Sequence, residues 1–192
     1  VGRCIPFEPY EGYGSCMMSE PQSVEDTRSG ALHGALEDDA PLPSKASRRE
    51  TIEGCMAVHD QGKCGWCVAH STAAALEVML CAMGRDAPAV SEPHLWYLGK
   101  GKDKITDCVG GWAVSAAYRT ITSYTDDGQY LVPADVWRYS QDVDQMAANQ
   151  PTDDRLMDRG LYGALAQDVG VVPGGDVESL KKPLAAGHSV TY

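Results

Sequence analysis

The residues best suited to chemistry are two cysteines three positions apart, Cys64 and Cys67, in the segment Gln61-Gly-Lys-Cys-Gly-Trp-Cys67. Such a pair could form half of a zinc site, a redox pair, or a structural cysteine beside a nucleophile. A zinc site requires a second ligand pair, and no second C-x-x-C or H-x-x-x-H spacing occurs. A redox pair should follow a β-strand, whereas loop-like sequence precedes Cys64. The third interpretation is favoured, with no metal or other cofactor.

Cys67 begins a run without glycine or proline that extends to Met83 and is closed by Gly84. Apolar residues at helical spacing in this run predict a buried central helix. A thiol in the first turn of a helix lies near the positive end of the macrodipole, which favours the thiolate and lowers the thiol pKa. Gln61 lies on the loop that enters the helix, so its amide and the Cys67 backbone N–H are expected to form an oxyanion hole.

The first 41 residues differ from the rest of the chain. They are rich in proline and glycine and carry the acidic patch Glu37-Asp38-Asp39, which is typical of a loop-rich leader, arm or propeptide. Residues 42–192 are expected to form the folded domain. Within it, further helices are predicted after the N-cap Ser91, after Gly110-Gly111, over 156–169 and over 177–186, and 124–151 is expected to be mainly irregular.

Composition excludes several classes of function. The 192 residues suit one compact domain or two small lobes, and 16 basic against 27 acidic residues give a net charge of -11. This charge argues against a nucleic-acid surface, and no stretch approaches the roughly 18–20 apolar residues of a membrane-spanning helix.

The seven cysteines predict disulfides and at least one free thiol, and therefore an oxidising compartment that is secretory, lysosomal, vacuolar or otherwise lumenal. The pairing of Cys4, Cys16 and Cys55 does not follow from the sequence. Cys81 lies among apolar residues of the central helix and is expected to be an inert core thiol.

Several motifs occur in the order of one known family. Residues 61–71, Gln-Gly-Lys-Cys-Gly-Trp-Cys-Val-Ala-His-Ser, resemble the signature of the papain-like cysteine peptidases of the C1 type. The folded part begins at Leu42-Pro43, which resembles the mature amino terminus of cathepsin-B-like members. The other elements that match in register are Leu76-Glu77, Val90-Ser91-Glu92 and Asp107 to Trp112. The resemblance covers residues 42 to about 120.

The resemblance implies a papain-like α+β fold. Its mainly helical left lobe would contain the central nucleophile helix, and its β-rich right lobe would be incomplete from about residue 125. It also implies a disulfide between Cys64 and Cys108. The glycines Gly110 and Gly111 would let an extended peptide approach, Gly111 would pair with the substrate backbone, and Trp112 would line an apolar substrate pocket.

The resemblance breaks down where a base would be expected. The family's H-A-[VI]-x-x-V-G and N-S-W-G segments are missing, and the segment around His188 better resembles a helix and strand that open the second lobe. The base is therefore expected to be missing from this chain. His70 replaces an aromatic residue and should face neighbouring packing, while His33 and His94 are expected at the surface. Two unusual residues, Trp66 and Val68, are expected beside the cleft.

Two functions follow from the resemblance. The first is a cysteine peptidase that acts on peptide or protein substrates, of which this chain is the nucleophile-bearing part and a second chain completes the right lobe. The alternative is a catalytically inactive papain-fold subunit that binds or supports a larger assembly.

Overall fold

The structure of the chain is a computed structural model. It describes residues 41–47, 49–56, 58–82, 84, 89–108, 110–126, 131–159 and 177–186, together with two strands near the amino terminus. His33, His188 and most of the helix predicted over 156–169 lie outside these residues.

The described residues are mainly helical. Strands β1, Cys4–Pro6, and β2, Cys16–Met18, pair antiparallel within the predicted arm, with Cys4 opposite Met18. The helices are α1 Arg49–Ile52, α2 Cys67–Ala82, α3 Glu92–Lys100, α4 Val114–Asp126, α5 Val143–Ala148, α6 Asp153–Asp158 and α7 Val177–Ala186. None of the helices in this part of the chain is long and apolar enough to cross a membrane.

The predicted central helix is confirmed as α2, and the helix predicted after Ser91 is confirmed as α3. Ser91 Oγ accepts the backbone N–H of His94 at 3.2 Å, which satisfies one of the free donors at the helix start. α3 ends at Gly101, whose φ of +97° suits glycine and whose N–H donates to Tyr97 O at 2.9 Å. The helix predicted over 177–186 is also confirmed, as α7.

Most of the described residues of 124–151 are irregular, as expected, but two helical pieces occur that were not predicted. α4 continues to Asp126, and α5 begins after Asp142, whose Oδ1 accepts the N–H of Gln145 at 3.0 Å. The helix predicted from residue 156 instead begins at Asp153, after the N-cap Thr152, and ends at Asp158. The sequence signal for the start of α5 and of α6 is the N-cap side chain, and neither helix is long enough to show apolar residues repeating at helical spacing.

A segment after α4 closes over the amino-terminal end of α3. Pro133 forms a bridge with Val90, and Ser91 N donates to Val132 O at 3.0 Å. Ser91 Oγ also donates to Trp137 O at 2.7 Å, so the N-cap of α3 is tied to this segment by both its backbone and its side chain. Residues of this segment therefore share one core with α2, α3 and α4.

Tryptophan rings fill the centre of that core. Trp66 stacks on Trp96 with ring centroids 4.7 Å apart, and Trp112 meets Trp96 edge-on at 6.3 Å. Offset stacking and edge contacts are the arrangements that aromatic quadrupoles favour. The expectation that Trp66 lies beside the cleft is wrong, because its side chain is fully buried in this cluster.

Candidate active site

The loop that precedes α2 is held in place from several sides. Gly62 N donates to Asp60 Oδ1 at 2.8 Å, and Gly62 has a φ of +59° that favours glycine. A Cβ at this position would also lie 2.3 Å from the side chain of Gln141. The turn therefore depends on glycine both for its backbone conformation and for the space beside it.

The same loop is joined to the segment before α4. Cys64 forms a disulfide with Cys108, the pair that the resemblance implies. Gly65 N donates to Cys108 O at 2.7 Å, and Trp66 Nε1 donates to Asp107 O at 3.1 Å. One covalent bond and two hydrogen bonds thus fix the three residues that lead into α2.

Cys67 is the first residue of α2, is half-buried, and is the free thiol among the cysteines whose side chains are described. Burial raises the pKa of the Cys67 thiol, and the backbone N–H groups of Val68 and Cys67 lower it by less. The expected lowering of this pKa is therefore wrong for the described residues: the helix amides act in the predicted direction, but loss of solvent outweighs them. None of the described histidines is among the groups that shift this pKa.

The side-chain amide of Gln61 is directed at its own loop. Its Nε2 donates to Cys64 O at 2.6 Å, and the backbone carbonyl of Gln61 accepts the hydroxyl of Tyr139 at 2.6 Å. The segment that closes over α3 therefore also holds the residue that is predicted to bind an oxyanion. Gln61 and Cys67 stand at the two ends of one braced loop.

The predicted substrate-binding residues lie immediately before α4. Gly110 N donates to Asp107 Oδ1 at 3.1 Å, and the buried Gly111 accepts Lys100 Nζ on its carbonyl at 2.8 Å. Trp112 is only 6% exposed and belongs mostly to the core. The backbone of this segment is therefore what it could mainly offer to a peptide.

A second group of ionisable side chains lies in the core of the helical part. His59 Nδ1 hydrogen-bonds with Glu92 Oε1, His59 Nε2 lies 3.1 Å from Glu77 Oε2, and His70 Nδ1 lies 3.4 Å from Glu92 Oε1. Sequence reasoning missed this cluster because its members are scattered along the chain. The only available signal is that His70 and Glu77 are two turns apart on one face of α2.

Charge and burial oppose each other in this cluster. Burial lowers the pKa of His59, but Glu92 and Glu77 outweigh it, so the net shift is upward. Burial lowers the pKa of His70, and its ring meets Tyr139 edge-on at 4.6 Å, consistent with the expected packing role. Burial also raises the pKa of the Glu77 carboxyl.

Two further expectations are wrong. His94 is fully buried rather than at the surface, because the segment at 131–137 covers it and Val132 N donates to its Nδ1 at 3.2 Å. Burial lowers the pKa of His94 to about 4. Cys81 is not an inert core thiol: it forms a disulfide with Cys55, which brings the segment after α1 onto the carboxyl end of α2.

Comparison with known proteins adds to this geometry. Among solved structures, the chain is similar to xylellain, a cysteine protease from Xylella fastidiosa, with a TM-score of 0.59 and 16% identity over 95% of this chain and 67% of that one. At this identity the likeness shows a shared fold. Among curated proteins there is no significant match. The model of the papain family cysteine proteases matches residues 42–190, well over half of the chain. A braced loop, a free cysteine at the start of a buried helix and this match together show that the chain belongs to the papain family of cysteine proteases.

Proposed function

We propose that this chain is the nucleophile-bearing part of a peptidase in which the Cys67 thiolate attacks the carbonyl carbon of a peptide bond. The observation that carries the proposal is the position of Cys67, a free and half-buried thiol at the first residue of a buried helix. The loop before it is anchored by the disulfide between Cys64 and Cys108. Peptides or proteins are the substrates that this chemistry takes.

The reaction has two stages. Attack by the thiolate forms a tetrahedral intermediate, whose oxyanion accepts hydrogen bonds from the Cys67 backbone N–H and the Gln61 amide. The amine then leaves with a proton, and water hydrolyses the acyl-enzyme. For Gln61 to donate to the oxyanion, one of its two amide hydrogens has to point away from Cys64 O, which now accepts at 2.6 Å.

The proton carrier in this proposal is a histidine outside the described residues, either His188 or one on a completing chain. The described histidines lie in the core: His70 and His94 are buried, and His59 is bound to glutamates. An imidazolium beside Cys67 would lower a thiol pKa that burial otherwise raises. Supplying that charge is therefore the step on which activity depends.

Labelling with a peptidyl epoxide tests the proposal. We expect one equivalent of label on Cys67, located by mass spectrometry, and none in Cys67→Ala. Gln61→Ala should reduce kcat for peptide hydrolysis by about 10²- to 10³-fold, since it removes one oxyanion donor. Alkylation of Cys67 by iodoacetamide should survive in Gln61→Ala, which shows that the thiol remains accessible.

The alternative function is that of a catalytically inactive papain-fold subunit. It is favoured by the raised pKa of Cys67 and by Lys100 Nζ, which is 2.8 Å from the carbonyl that a substrate would need at Gly111. The two functions give different results in the same assay. If iodoacetamide modifies Cys67 while the epoxide does not, and no peptide is hydrolysed even when the completing chain is present, the peptidase proposal fails and the inactive-subunit function remains.

The compartment proposed for either function is oxidising. Disulfides between Cys55 and Cys81 and between Cys64 and Cys108 fit such an environment. We place the protein in the secretory pathway or in a lysosomal or vacuolar lumen. The partner proposed besides a substrate is a second chain that completes the right lobe or a larger assembly.

A further inference from the structure

The cluster of His59, His70, Glu77 and Glu92 joins three parts of the helical region. His59 is on the loop before α2, His70 and Glu77 are on α2, and Glu92 is the first residue of α3. No atom of Cys67 or Gln61 takes part in it. Its side chains are largely withdrawn from water, with exposures of 16% for His59, 10% for His70, 1% for Glu77 and 3% for Glu92.

Several polar atoms of the cluster lack a hydrogen-bond partner. Both ring nitrogens of His70 are buried without one, and so are Nε2 of His59 and Oε2 of Glu77. His59 Nε2 and Glu77 Oε2 are 3.1 Å apart but are not aligned for a hydrogen bond. Leaving a buried polar atom without a partner costs about 1–3 kcal/mol, so unpartnered nitrogens and oxygens gathered at one point call for an explanation.

The charges of the cluster also do not balance. Two carboxylates are almost completely buried, and the imidazole of His59 is in contact with both. With both carboxylates ionised, one positive ring would leave a net negative charge in the core, which is costly to bury. A divalent cation in place of the proton would neutralise both glutamates.

The positions of the possible ligand atoms suit a metal ion. One nitrogen of His59, one nitrogen of His70 and one oxygen of Glu92 all lie within 4.8 Å of one another. Bonds of about 2.0–2.2 Å to a tetrahedral ion place neighbouring ligand atoms about 3.3–3.6 Å apart. The separation of 3.4 Å between His70 Nδ1 and Glu92 Oε1 has that value. His59 Nδ1 and Glu92 Oε1 are in direct hydrogen-bond contact, so an ion at this site would replace the proton between them and move the two side chains apart.

We propose that His59, His70 and Glu92 bind a Zn²⁺ ion that clamps the loop before α2 to α2 and α3. Two imidazole nitrogens and one carboxylate oxygen suit Zn²⁺ and disfavour Mg²⁺ and Ca²⁺, which prefer all-oxygen sites. Three protein ligands leave a fourth position for water or for another donor.

Glu77 is a positioning residue in this site rather than a ligand. With His59 Nδ1 on the metal, the opposite nitrogen Nε2 lies 3.1 Å from Glu77 Oε2, and a rotation of the ring that aligns the two would give the carboxylate–histidine–metal arrangement that orients such ligands. Glu77 is itself held, because its Oε1 accepts Val90 N at 2.8 Å. The loop before α2 is therefore tied through His59 to the segment that leads into α3.

Metal binding is tested with the 192-residue chain in a Cys67→Ser background, so that the free thiol cannot act as a ligand. After removal of metal by a chelator, titration with Zn²⁺ alone should give one equivalent bound per chain and raise Tm. Co²⁺ should bind with the visible absorption of a tetrahedral nitrogen and oxygen site. The proposal is overturned if the chain binds neither one equivalent of Zn²⁺ nor one equivalent of Co²⁺.

Variants locate the site. His70→Phe keeps a ring against Tyr139 but removes a ligand, and it should weaken Zn²⁺ binding at least 100-fold. Glu77→Gln should weaken it about 10- to 100-fold, as expected for a residue that orients a ligand. Asp135→Asn, which changes a carboxylate whose side chain is 68% exposed, should leave binding unchanged.

The folding of each variant is checked without metal, by its Tm and its near-ultraviolet circular dichroism. A folded His70→Phe protein that binds Zn²⁺ as tightly as its parent would overturn the proposal. So would a Co²⁺ spectrum that appears in the original chain but is abolished by Cys67→Ser, because it would place the metal at the thiol.

Discussion

At the scale of the residue, Cys67 combines two opposing influences. Its place at the start of α2 brings backbone N–H groups toward the sulfur, yet its half-buried site withdraws water from the charge that the thiolate would carry. Burial dominates, so the environment that the described residues form around Cys67 favours the protonated thiol. If Cys67 is the nucleophile of the proposed peptidase, its sulfur is positioned by the described residues and has to be activated by a group outside them.

The ionisation of Cys67 can be measured directly. The rate of alkylation by iodoacetamide should rise with pH around a midpoint above that of an exposed peptide thiol in the same buffers, because burial raises the thiol pKa. The reaction at Cys67 is isolated by subtracting the rate in Cys67→Ser. A midpoint below that of the peptide thiol would contradict this expectation and would reveal a positive group near the sulfur.

At the scale of the element, α3 packs against the ring of Trp112 at Gly99. A Cβ at Gly99 would lie 1.9 Å from Cζ2 of that ring, so the glycine provides the space in which the ring lies. The ring also meets Trp96 edge-on. The helix surface and the predicted substrate-binding segment therefore fit each other only while residue 99 has no side chain.

Replacing Gly99 with alanine separates two effects of opposite sign. In a helix, alanine is favoured over glycine by about 1 kcal/mol, whereas overpacking costs about 1–3 kcal/mol. Because a ring in a packed core has little room to move, we expect Gly99→Ala to lower the free energy of unfolding by about 1–2 kcal/mol in urea denaturation.

A double-mutant cycle provides the control for Gly99→Ala. In a Trp112→Phe background the smaller ring leaves room for the methyl group, so the same substitution should cost less or even stabilise. An equal loss in both backgrounds would show that the cost does not come from the Trp112 contact.

At the scale of the whole molecule, the two disulfides among the side chains that the structure describes support different parts of it. Cys55 and Cys81 are 26 residues apart and join the segment after α1 to the end of α2, whereas Cys64 and Cys108 are 44 residues apart and join the loop before α2 to the segment before α4. Both restrict the unfolded chain. Only the second is adjacent to Cys67, the proposed nucleophile.

Removing each disulfide by a pair of alanines should therefore have different consequences. Each pair should lower the free energy of unfolding by about 3–4 kcal/mol, from the loop that the bond closes. Only Cys64→Ala with Cys108→Ala should also slow epoxide labelling of Cys67, because it releases the loop that positions the sulfur. The labelling is compared at a temperature at which both double variants are folded. Equal rates of epoxide labelling in the variant without the Cys64–Cys108 bond and the variant without the Cys55–Cys81 bond would contradict this distinction.

A structural feature can be predicted from this sequence where residues close to it in the chain determine it. The start of α2 at Cys67 and the cap of α3 at Ser91 follow from neighbouring residues, and both predictions hold. The burial of His94 and Trp66 does not follow in this way, because the residues that cover them are about 40 positions later in the chain. The pKa of Cys67 was mispredicted for the same reason, since desolvation depends on tertiary neighbours.

The four tryptophans of the chain also determine its fluorescence and contribute to its circular dichroism. All four are at most 6% exposed, and the Trp66 and Trp96 rings are stacked 4.7 Å apart. Their fluorescence should therefore peak at short wavelength and shift to the red as the core opens. Excitonic coupling between the stacked indoles should give the native state a circular-dichroism band of its own, which would follow the loop before α2 and the core beneath it in one measurement.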